Sequence, residues 1–136
     1  MQARNKLVVR ARNGQLIKGF AFDFNAGKEL FHVVDADDKS KVTEVLAADL
    51  KAVFYVKSFE GDRTRTKSRE LAEQAANKIP GMKLKVTFSD GEVLFGTTNG
   101  YSKARPGFFI TPSDPSSNND RAFVIVSSTT SIESWR

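Results

Sequence analysis

Residues 6–19 read Lys-Leu-Val-Val-Arg-Ala-Arg-Asn-Gly-Gln-Leu-Ile-Lys-Gly, and residues 83–96 read Lys-Leu-Lys-Val-Thr-Phe-Ser-Asp-Gly-Glu-Val-Leu-Phe-Gly. The two stretches match at an offset of 77 residues without a gap. Each opens on Lys-Leu and runs into an alternating segment. In the first, Leu7, Val9 and Ala11 alternate with Val8, Arg10 and Arg12, the period of a strand with one more apolar face. Asn13-Gly14 and Asp90-Gly91 then signal hairpin turns, and such pairs predict a type I′ turn with positive φ at both central residues. A second glycine, Gly19 or Gly96, falls inside the strand that follows. There a glycine allows a sharp bend, a bulge or the close approach of another backbone. A strongly bent second strand is the device that closes a small barrel.

Outward from the first copy, Gln15 to Phe22 continues as a strand and Asp23 to Glu29 is a loop. Leu30–Val34, Val42–Leu46 and Leu50–Val56 supply three more strands. Five short strands at close spacing predict a small barrel. The second copy repeats the order: Lys83–Phe88, Glu92–Thr98, Phe108–Thr111, Arg121–Ser127 and a last strand from Ile132 to Trp135. Ile132 is matched to Leu50 after a shift of about five residues.

Between the copies the composition changes. Lys57, Arg63, Arg65, Lys67 and Arg69 stand against only Glu60 and Asp62, and apolar residues are almost absent after Phe59. This reads as a basic linker. Ser68 can cap a short helix from Arg69 to about Lys78, with Leu71, Ala72, Ala75, Ala76 and Ile79 on one face. Ile79-Pro80-Gly81 ends it. The division is therefore residues 1–58 for the first barrel, 59–81 for linker and helix, and 82–136 for the second barrel.

The 136 residues carry 21 Lys and Arg against 16 Asp and Glu, a net charge of +5. Half of such a chain lies near the lower limit for an independent core, so two copies that pack together ease that limit. Without cysteine there is no disulfide, thiolate metal site or Cys nucleophile. No apolar run reaches the roughly 18 residues of a membrane helix, and the first residues lack the apolar core of a signal peptide. A soluble cytoplasmic protein without membrane contact is expected. The basic balance admits a polyanionic partner, or serves solubility alone.

The pattern of strand, glycine turn, bent strand with an internal glycine and three further strands resembles the Sm-like, or SH3-like, small β-barrel. Val9, Gly14, Gly19, Phe31, Leu50 and Val53 carry it in the first copy. Val86, Gly91, Gly96, Phe108 and Ile132 carry it in the second. The chain also resembles an uncharacterised bacterial family in which this doubled pattern recurs, with its Leu-Lys-Ala-Val-Phe-Tyr-Val and Gly-Phe-Phe-Ile-Thr-Pro segments. The resemblance implies an all-β fold of two tandem five-stranded barrels and edges that pair across the junction or between copies. It does not extend to the Sm-type RNA site. Asp23 and Asn25 stand after the second strand with a different spacing, the second copy has Asn99 and Tyr101 there, and the Arg-Gly element is missing from both.

Two basic patches remain as candidate nucleic-acid or nucleotide contacts. Arg63, Arg65, Lys67 and Arg69 supply charge for phosphates, with Tyr55 or Phe59 near enough in sequence to stack a base. Arg65 and Arg69 also have the Arg-x-x-x-Arg spacing of PilZ domains, which bind a cyclic dinucleotide, but the second PilZ element is not matched at Asp114-Pro-Ser116. Tyr101, Lys103 and Arg105 form the other patch, on a loop. The alternative for both is a solvated connection. His32, the only histidine, has no nucleophile or carboxylate at motif spacing and reads as a packed or edge residue. Asp35, Asp37, Asp38 and Glu44 lack the glycine of a calcium loop and read as a hairpin turn. No catalytic residue, metal site or cofactor is expected. The chain reads as a non-enzymatic binding or assembly module with a protein partner or further copies of itself, and RNA or cyclic-dinucleotide binding as the alternative.

Overall fold

The structure is a computed structural model, and it describes residues 6–21, 23–24, 29–59, 82–98, 106–113 and 119–134. The expected linker and helix, residues 59–81, lie outside these apart from Phe59. The elements are β1 (Lys6–Ala11), β2 (Leu16–Ala21), β3 (Leu30–Asp35), β4 (Val42–Leu46), a 3-10 turn (Ala47–Asp49), β5 (Leu50–Val56), β6 (Met82–Phe88), β7 (Val93–Thr98), β8 (Gly107–Pro112), β9 (Asn119–Ile125), a second 3-10 turn (Val126–Ser128) and β10 (Thr129–Ser134). The chain is all-β. Its strands join edge to edge, every neighbour antiparallel, into one ten-stranded sheet of order β10-β6-β7-β8-β9-β5-β1-β2-β3-β4.

Both hairpins differ from the expected type I′ turn. Gly14 and Gly91 have φ of 91° and 95°, but no other type of residue has positive φ among those described. Ala11 N–H donates to the Gln15 carbonyl, and Gly14 N–H donates back to Ala11. Phe88, Glu92 and Gly91 repeat both bonds. The loop thus holds three residues, and only the last must be left-handed, which glycine adopts without a Cβ penalty. Asn13 and Asp90 serve through their side chains instead, accepting from the N–H of Gln15 and of Glu92.

Gly19 and Gly96 are sites of close backbone approach. A Cβ on Gly19 would overlap the Val34 carbonyl oxygen and lie 2.8 Å from Val33 Cγ1. One on Gly96 would overlap the Thr111 carbonyl oxygen and lie 2.7 Å from Ile110 Cγ1. The cross-strand registers correspond as well. Leu7 faces Gly19 as Leu84 faces Gly96.

The last strands correct one expectation. Val53 stands opposite Val9, and Ile132 stands opposite Val86. Ile132 is therefore the counterpart of Val53, not of Leu50, and the offset from β4 onward is 79. The loop before β9 adds two residues rather than five.

Among the described residues the core is two clusters, and each draws on both repeats. One joins Val8, Ala52, Phe54 and Val56 with Leu84, Val86, Phe88, Phe108, Ile110, Ala122 and Val124. The other joins Leu7, Val9, Phe31, Val33, Val45, Leu50, Val53 and Tyr55 with Phe123 and Ile125. Alternate residues of a strand face opposite sides. At the β5–β9 pair both sides are covered, so all seven residues of β5 are buried.

Candidate functional site

A cavity of about 500 Å³ opens where the two hairpin turns meet. It is lined by Ala11 to Gly14, Lys51, Phe88 to Asp90, Ser127 and Ser128. Lys51 opens the apolar run of β5 and is only 8% exposed. Its amine lies 2.7 Å from Asp90 Oδ2, 2.7 Å from Glu92 Oε1 and 4.7 Å above the Phe88 ring. A desolvated ammonium needs this company, since a buried charge is costly unless it is paired and hydrogen-bonded. Asp90 and Glu92 come from the β6–β7 turn, which brings the pair together across the junction.

On the other wall Arg12 Nε donates to Ser128 Oγ at 2.8 Å, and Ser128 Oγ donates to the Leu50 carbonyl at 2.6 Å. Ser128 is 4% exposed. Ser128→Ala would strand a buried carbonyl and is expected to cost about 1–3 kcal/mol, read as a shift in the urea midpoint.

The Lys51 hydrogen bond, with a second from the Glu92 amide, holds the Asp90 carboxyl below its ordinary value of 3.8. A carboxyl with a lowered folded pKa stabilises the fold above its unfolded pKa and loses that contribution as pH falls through the folded one. Asp90→Asn is therefore expected to melt lower than the native chain at pH 6. The gap should close as pH drops below about 4, measured as Tm of both proteins from pH 6 to 2.

A second hollow, of about 330 Å³, lies beside β4. It is lined by Ala11, Arg12, Asn13, Gln15, Ile17, Thr43 to Leu46, Asp49 and Leu50. β4 is one end of the sheet, and Val42 and Leu46 on it are 54% and 50% exposed.

The basic patches behave differently. Arg63, Arg65, Lys67, Arg69, Tyr101, Lys103 and Arg105 lie outside the described residues. Tyr55, offered as a base-stacking ring, is 9% exposed, and the Arg121 guanidinium already covers its face at 4.2 Å. Burial raises the Tyr55 phenol pKa, with Arg121 opposing. Phe59 packs edge-on against Phe20 at 5.5 Å. Lys6 and Lys18 donate to the carbonyls of Lys57 and Phe59.

His32 is neither packed nor on an edge strand: it lies on β3, between β2 and β4, with its side chain 47% exposed, and two carboxylates reach it. Asp23 Oδ2 lies 2.8 Å from Nδ1 and Glu44 Oε2 lies 3.7 Å from Nε2. Asp23 also accepts the His32 backbone N–H, which ties the loop after β2 to β3. Sequence spacing hid both contacts, because Asp23 arrives through a loop and Glu44 across a strand pair. Asp35 and Asp38 cap the turn between β3 and β4 by accepting from Asp37, Asp38 and Ser40. The Ser40 bonds lower the Asp38 pKa.

The described residues contain no helix long and apolar enough to cross a membrane. A search of curated proteins found no match. A family model covers residues 3–135, and the chain belongs to that family, a family of unknown function (DUF6982).

Proposed function

We propose that this chain is a non-enzymatic binding or assembly module of the bacterial cytoplasm, acting through protein contacts at the open edges of its sheet. The observation that carries this is the free end at β4, with unpaired edge backbone and two exposed aliphatic side chains among the described residues. Such an edge is a template for a further strand. The finer architecture is a tandem of two Sm-like halves. The strand orders β5-β1-β2-β3-β4 and β10-β6-β7-β8-β9, with matching turns and internal glycines, support it.

The test is light scattering over a concentration series, with affinity capture beside it, on the native chain and on Val42→Glu with Leu46→Glu. The expected result is a mass above 15.1 kDa or a captured protein with the native chain, lost in the variant. Identical behaviour of the two proteins would overturn the reading.

The net charge of +5 favours a second reading, nucleic-acid or cyclic-dinucleotide binding through Arg63, Arg65, Lys67 and Arg69 and through Tyr101, Lys103 and Arg105. Its test is anisotropy of a labelled single-stranded RNA at low and physiological salt. Phosphate binding falls steeply with salt, and Arg63→Ala with Arg65→Ala should abolish it.

A further inference from the structure

The edge of β4 beside this hollow has a counterpart in the other half of the sheet, and there a strand lies along it. By the 77- and 79-residue offsets, Ala11, Asn13 and Gln15 correspond to Phe88, Asp90 and Glu92, and β4 corresponds to β9. Along β9 lies β5, antiparallel, with Val53 opposite Phe123 and Ala52 opposite Val124. Its Lys51 side chain sits over Phe88 between Asp90 and Glu92. One strand edge with its turn is thus occupied by an extended strand bearing a long cation. The equivalent edge at β4 carries no strand among the described residues, and a hollow lies beside it.

The substitutions say what would fit. Ala11 in place of Phe88 leaves room beneath the turn. Asn13 and Gln15 stand in place of the carboxylates Asp90 and Glu92, but Glu44 and Asp49, in place of Phe123 and Ser128, line the hollow. Arg12 also lines it, with its Nε already on Ser128. Glu44 faces His32 Nε2 at 3.7 Å. On the outer face of β4, Val42 and Leu46 flank Glu44, and Leu46 stands where Ile125 is 2% exposed beneath a core cluster.

From this correspondence we infer that β4 receives an extended, basic and apolar strand of a partner protein. The strand runs antiparallel to Val42–Leu46, as β5 does to β9. It sets a lysine or arginine opposite Glu44, an apolar side chain opposite Val42 and, opposite Leu46, a long cation that reaches into the hollow near Asn13, Gln15 and Asp49. Main-chain bonds supply affinity, and the side-chain pattern supplies selectivity. The inference rests on the edge-binding reading and names the partner's chemistry. A second copy suits the site less well. Its β10 would bring Thr130 to the place of Lys51, and Ile132, not a cation, to face Glu44.

The probe is a fluorescein-labelled peptide copying Leu50–Val56 with Val53→Lys, so that cations face both Glu44 and the hollow. A control peptide carries glutamate at both positions. Each is titrated by anisotropy into the full chain and into Glu44→Lys and Leu46→Glu, exposed changes whose fold is checked by circular dichroism. Saturable binding of the basic peptide, absent for the acidic one and weakened about tenfold or more by Glu44→Lys, is expected. Binding that Glu44→Lys leaves unchanged places the peptide elsewhere and overturns the inference. No peptide binding, with a chain mass that rises with concentration and falls back in Leu46→Glu, overturns this occupant in favour of a second copy and keeps the edge-binding reading. No binding and a constant monomer mass overturn both.

Discussion

Gly19→Ala and Gly96→Ala are expected to be among the most damaging single changes to this chain. Neither glycine has positive φ, so the argument is one of space and not of conformation. Against Gly19 the added carbon overlaps the Val34 carbonyl oxygen, lies 2.8 Å from Val33 Cγ1 and 2.9 Å from the Val34 carbonyl carbon. Backbone atoms of a paired strand cannot swing aside as a flexible side chain can. Relief requires β2 and β3 to separate where Gly19 pairs with Asp35 and Phe20 with Val34. That pairing aims Phe31 and Val33, each 1% exposed, into the core. Overpacking costs typically 1–3 kcal/mol. A clash with backbone belongs at or above the upper end, about 3 kcal/mol or more, against a stability of roughly 5–15 kcal/mol for a domain. Urea unfolding of each variant checks it, with Gly14→Ala as the contrast. At Gly14 a Cβ meets nothing within 4 Å, and only the φ of 91° is strained. A Gly19→Ala protein as stable as the native chain would show that the strands do not meet as closely as described.

The second large effect is expected from cutting the chain between its two repeats. Residues 1–58 and 59–136, made separately, should show no cooperative unfolding, and mixing them should restore one transition. Although the repeats look like two small domains in sequence, each core cluster is completed by the other. Separation would expose Val8, Phe54 and Val56 on one side and Phe123 and Ile125 on the other. Burying an apolar side chain of this size is worth about 1.5–3 kcal/mol, so these five come to roughly 10 kcal/mol, as much as a whole domain's stability. The fragments are also near the size at which a lone core becomes marginal. Calorimetry of each fragment and of the mixture decides it. Two fragments that melt cooperatively alone would mean that the halves are independent domains.

Much of this was legible in the residues. The alternation in Leu7 to Ala11, the Asn-Gly and Asp-Gly pairs and the internal glycines are local signals, and the strands formed within a few residues of where those signals lie. The turn type was not legible, because Asn-Gly serves a two-residue loop with both φ positive and a three-residue loop with one. Which applies depends on how the flanking strands pair. The role of Lys51 was hidden for a similar reason. Its one sequence signal is that it is the only charged residue in Leu50–Val56, and its partners lie about forty residues on. Nothing near it in sequence names Asp90 or Glu92.

The sequence by itself determined the strands, their order along the chain and the places of the turns, since each depends on residues a few places apart. Tertiary structure alone decided that β5 pairs with β9, that Asp90 and Glu92 hold Lys51 over Phe88, that the internal glycines of β2 and β7 meet the backbone of the next strand, and that the β4 edge carries no strand among the described residues. Those outcomes rest on contacts between distant segments. A strand's side-chain pattern tells how many of its faces are covered, but not which edge will lie against it.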